Sequence, residues 1–105
     1  MTSFADRERS FEAQFARDAE LQFRVMARRD KLLGLWAAQK RGLGEAEADV
    51  YARSVVQEDF KEAGDEDVVR MVTGDLATLG VSEHDVRQAL AGCAVEARRQ
   101  IMEAI

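Results

Sequence analysis

An all-α fold is predicted for this 105-residue chain: a four-helix bundle-like body with an extended, partly mobile N-terminal helix. Proline is absent and the seven glycines are scattered, so the two strongest breakers of regular structure are rare. Apolar residues recur at helical spacing, and no stretch alternates apolar with polar over a strand's length. In VSEHDV, Ser82 and Asp85 have the spacing of a reciprocal capping box, and Val81 and Val86 flank it as a hydrophobic staple.

The first long segment runs from about Phe4 to Lys40, with Gly34 as its weak point. At about 100° per residue, Phe4, Phe11, Phe15, Met26, Leu33 and Trp36 fall near one line. Up to residue 20 that line is a thin aromatic seam among charges; from Leu21 onward, Val25, Leu32 and Leu35 widen it into a face suited to a core. The chain is therefore divided into a mobile arm, residues 1–20, and a four-helix domain, residues 21–105. The competing reading docks the seam on the other helices.

Gly42 and Gly44 stop this segment. A second helix is expected from Glu45 to Ala63, with Ala52, Val56 and Phe60 along one side and Tyr51 and Val55 nearby. Gly64 ends it, since glycine takes the left-handed conformation past a helix at little cost. Asp65 is then a candidate N-cap acceptor, and Val68, Val72, Leu76 and Leu79 mark the next apolar side as far as Gly80. The last helix presents Val86, Leu90, Cys93, Ala94, Ala97 and Ile101.

Composition limits function. With 47% apolar and 33% charged residues the chain is too apolar for wholesale disorder and too charged for a membrane span, and its longest apolar run is Leu35 to Ala38. The start MTSFADRERS has no hydrophobic signal core, and a lone Cys93 suits a reducing cytoplasm. Net charge is −5, divided as +2 over residues 1–40 and −7 over residues 41–105. An acidic body opposes phosphate backbones, which argues against nucleic acid as the main partner.

No catalytic set assembles. His84 is the only histidine and is expected to be exposed. The acidic run Glu58, Asp59, Glu62, Asp65, Glu66 and Asp67 lacks the ligand alternation and central glycine of a calcium loop, and is read as solvated surface. Arg24, Arg28, Arg29 and Lys31 could grip a phosphate, giving weak ATP or ADP binding, or pair with the acidic body. No resident cofactor or metal is expected, and the chain is read as a binding protein, not an enzyme.

The stretches FADRERSFEAQFARDAELQFRVMARRDKLLGLWAAQKRGL and EAEADVYARSVVQEDFKEAGDEDVVR resemble the zeta subunit of the F-type ATP synthase of alphaproteobacteria, a family first catalogued as a domain of unknown function. ARRDKLLGLWAA and DFKEAGDEDV are the most specific blocks, and the departure lies after Leu90, in AGCAVEARRQIMEAI. The resemblance implies an inhibitor whose N-terminal region inserts at the interface of the alpha and beta subunits beside gamma and blocks ATP hydrolysis. It implies a cytoplasmic protein, peripheral to the inner membrane through the synthase, with adenine nucleotide contacts in some members. Carried onto this chain, the inhibitory segment is about Thr2 to Asp18, including Phe4, Asp6, Arg7, Glu8, Phe11, Phe15 and Ala16. The alternative is a free-standing helical adenine nucleotide sensor centred on Arg28 and Arg29.

Overall fold

A computed structural model describes residues 3–105. The elements are α1 (Phe4–Phe15), α2 (Ala19–Lys40), α3 (Glu45–Asp59), α4 (Glu66–Asp75) and α5 (Glu83–Ala104), with a short 3₁₀ turn at Ala77–Leu79. Helices α2 to α5 form the expected four-helix body. Among the described residues no helix is long and apolar enough to cross a membrane.

The long first segment is two helices. Asp18 leaves helical geometry (φ −109°, ψ 104°), and its carboxylate accepts from the Leu21 amide at 3.1 Å, capping α2. Across the break, Gln22 Nε2 donates to the Phe15 carbonyl at 2.7 Å, which occupies one of the acceptors that the end of α1 leaves open. The sequence signal was Asp18 followed by Glu20, an acceptor and an acid at a helix start, hidden by the continuous seam on either side. Helix α1 thus ends at Phe15, and helix resumes at Ala19.

The main core lies inside the body. Leu33, Ala37, Tyr51, Val55, Val68, Val72, Leu76, Val86 and Leu90 bury together, with Trp36, Val81 and Cys93 packed around them. Gly34 is a close approach, not a weak point: a Cβ there would lie 2.6 Å from the Cα of Ala52. The Ser82–Asp85 capping box forms in both directions, at 3.1 Å and 3.0 Å, and Val86 of the staple is buried.

Helix α3 ends at Asp59, four residues before the predicted Ala63. Gly42, Gly64 and Gly80 take positive φ as turn glycines, whereas Gly44 is the N-cap of α3. Phe60 and Leu79 were placed on apolar sides and are about half exposed, because each lies past the last full turn of its helix. Asp65 makes no side-chain cap to α4; its carboxylate is drawn to Arg29 instead.

Candidate functional site

Ser3 caps α1 by accepting from the Asp6 amide at 3.1 Å, and this helix exposes most of its surface. Phe4 is exposed, as are Asp6, Arg7, Glu8 and the C-capping Ala16, and Asp6 pairs with Arg9. The Asp6 carboxyl is held below its ordinary range by hydrogen bonds from the Ser3 side chain and Arg9. Of the residues assigned to partner binding, only Phe11 is buried and Phe15 partly so.

Phe11 is 5% exposed in a second apolar cluster with Leu21, Val25, Ala97, Ile101 and Met102, against which Phe15 and Leu32 also pack. The two phenylalanine rings stack at 6.1 Å. Arg98 of α5 lies over the Phe15 ring at 4.6 Å and pairs with Glu12 at 3.0 Å. Phe11 and Phe15 of the seam are therefore docked on α2 and α5, as in the competing sequence reading, while Phe4 stays exposed. Break and docking have one cause: ending α1 at Phe15 turns Phe11 onto the groove between α2 and α5, instead of continuing the line toward Met26.

Between α1 and α5 runs an open groove of about 340 Å³ lined by Phe4, Glu8, Phe11, Glu12, Val95, Arg98, Arg99 and Met102. Its apolar floor and charged walls leave Phe4 and Val95 mostly in solvent. The cross-helix ion pair has the opposite polarity from the charge division along the chain, since the arm supplies the acid and the body the base.

The basic cluster is split. Arg29 is buried, and its Nη2 lies 2.9 Å from Asp30, 3.3 Å from Asp59 and 2.9 Å from Asp65. It is a structural ion centre and is taken out of the phosphate set. Part of the acidic run read as solvated surface is likewise internal, because Asp59 and Asp67 are buried. Arg28 donates to Gln100 at 2.6 Å. Arg24, Arg28 and Lys31 do share an open groove of about 340 Å³ with Phe23 and Val56, and Phe23 stacks on Phe60 at 5.1 Å. Among the described residues no group of His, Cys, Asp and Glu is arranged to hold a metal ion. His84 is exposed, as expected, and burial pushes the Cys93 thiol above its ordinary pKa.

The family model for the ATPase inhibitor subunit zeta matches residues 1–100. This chain belongs to that family. The match runs on past Leu90, where the resemblance had been weakest, so α5 of this zeta-family chain is part of the shared pattern almost to its end. A solved structure, a solution NMR structure, is 45% identical and superposes with a TM-score of 0.74, covering 81% of this chain and 99% of that one. No curated protein matches. The zeta family is one of inhibitor subunits, which agrees with a chain read as a binder of an ATPase.

Proposed function

We propose that this zeta-family chain inhibits ATP hydrolysis by the F-type ATP synthase, with α1 inserting at the interface of the alpha and beta subunits next to gamma. The observation that carries this reading is the peripheral station of α1. It is joined to the body through the short Ala16–Asp18 break, rests on a cluster separate from the main core, and leaves Phe4, Asp6, Arg7 and Glu8 exposed. An amphipathic helix of this kind reads a groove through a few aromatic anchors, while rim charges steer the encounter and set its salt dependence. Phe4 is available without rearrangement. Phe11 and Phe15 reach a partner only when α1 leaves α5, exchanging one apolar contact for another.

A photo-crosslinker in place of Arg7 should capture the alpha or beta subunit of the isolated catalytic head, and one in place of the exposed Val50 on α3 should not. Capture from position 50 with none from position 7 would move the interface to the body and overturn the reading.

A second reading is favoured by the groove that Arg24, Arg28 and Lys31 share with Phe23: three cations beside an exposed ring suit a phosphate and a base. The test leaves Arg29 intact, because its loss would disturb the fold. Adding ATP should shift amide resonances around residues 24–31, and Arg24→Ala with Lys31→Ala should remove those shifts. Shifts that persist in the double variant would contradict it.

A further inference from the structure

Beside the α3–α4 connection, Arg29 gathers three carboxylates onto one guanidinium. Asp30 is adjacent on α2, Asp59 is the last residue of α3, and Asp65 closes the α3–α4 connection. Two of the three are out of solvent: the Asp30 side chain is 0% exposed and that of Asp59 is 6%, while Asp65 is 42% exposed. With every carboxyl ionised, this centre would bury a net negative charge, which a medium of low polarity disfavours strongly. Arg29 reaches only one oxygen of Asp30; the other, Oδ2, is fully buried without a hydrogen-bond partner. Asp30 and Asp59 meet the same Arg29 nitrogen, Nη2, at 2.9 Å and 3.3 Å, which brings the two carboxyl groups together.

We propose that Asp30 and Asp59 hold one proton between them and that this proton is the clasp joining α2 to the end of α3, opening when the proton is lost. A carboxylic acid donating to a carboxylate removes one negative charge from the centre and gives the unpartnered oxygen of Asp30 a bond. Arg29 then balances the single negative charge left on the buried pair, and Asp65 keeps its charge at the solvent edge. The inference is independent of how the chain meets its partner.

The electrostatics agree with the geometry. Burial pushes the Asp30 carboxyl up to about 8; the hydrogen bond with Asp59 adds to the rise and the attraction of Arg29 opposes it. The other groups facing the centre are the Asp65 carboxylate from the α3–α4 connection and the half-buried Cys93 thiol from α5. A folded-state pKa above the unfolded value means the folded chain binds the proton more tightly. The resulting stability is complete below the ordinary aspartate range near 3.8 and is lost as pH rises through about 8. Cys93, also raised, acts in the same direction and must be separated from it.

Carboxyl-carbon NMR of the full-length chain follows each aspartate separately. At about pH 6.5, where surface carboxylates are ionised, Asp30 should resonate as the protonated acid and cross to the ionised position near pH 8. Amide exchange in residues 60–65 should then rise beyond its intrinsic alkaline increase. The thermal midpoint of the wild type should fall between about pH 7 and 9, and that of Asp30→Asn, whose carboxamide keeps a donor for Asp59, should fall less. Asp30 and Asp59 carbons both already ionised at about pH 6.5 would overturn the proposal, and this reading on the wild type decides even if the variant fails to fold. A fall in midpoint equal in wild type and Asp30→Asn would assign the alkaline loss to Cys93 and overturn it as well.

Discussion

Cutting Phe11 to alanine removes the ring that fills the space between Leu21, Val25, Ile101 and Met102. Core phenylalanines cost about 3–5 kcal/mol on such truncation. Here the loss stops at the free energy that holds α1 to the body, because once the arm lets go the main core no longer feels the cavity. Phe11→Ala is therefore expected to abolish amide protection in residues 8–15 while leaving residues 29–38 protected, and proton exchange resolves the two. Phe4→Ala, at an exposed position, should change unfolding by less than about 0.5 kcal/mol. Arg29→Leu should destabilise the chain by about 3–5 kcal/mol in denaturant titration, since it leaves buried carboxylates without their cation. The spacing of Phe11 and Phe15 on one face was readable from the sequence. Their burial was not, because it depends on the phase of a helix that breaks at Asp18. Pairing of the basic cluster with the acidic body was a sequence reading, and Arg29 makes it; which carboxylates it meets was not legible, because Asp59 and Asp65 return from a distant part of the chain and only packing of α3 on α2 brings them there.

At the scale of elements, α2 and α3 approach so closely at Gly34 that an added methyl meets the Ala52 Cα at 2.6 Å and Val55 Cγ2 at 3.3 Å. Alanine is the better helix former by about 1 kcal/mol. Overpacking against backbone costs about 1–3 kcal/mol and should win, so Gly34→Ala is expected to lower the unfolding midpoint in denaturant. Ser82→Ala removes the hydroxyl acceptor of the capping box and should cost about 1 kcal/mol by the same measurement. That box was legible because its chemistry is local, four residues long, and flanked by the valines that fix the turn. The end of α3 was not legible. Nothing between Asp59 and Gly64 breaks a helix, and the chain leaves it there to bring Asp59 and Asp65 to the same guanidinium.

Among the described residues, four helices enclose the main core and a fifth lies on a smaller cluster at one edge. The all-α class and the four-helix body followed from helical periodicity with turn residues between segments. The narrowness of the apolar face before residue 20 was legible; the place where α1 rests was not, since it uses Ala97, Ile101 and Met102 from the opposite end of the chain. On the proposed function, this division gives one chain a body and a separate inhibitory helix. The direct test deletes residues 1–16, keeping the Asp18 cap of α2, and compares intact and shortened chains for inhibition of the purified catalytic head, with circular dichroism on each. The shortened chain should keep a cooperative helical melt and lose inhibition. Inhibition equal to that of the intact chain would place the inhibitory surface on α2 to α5 and contradict the assignment to α1.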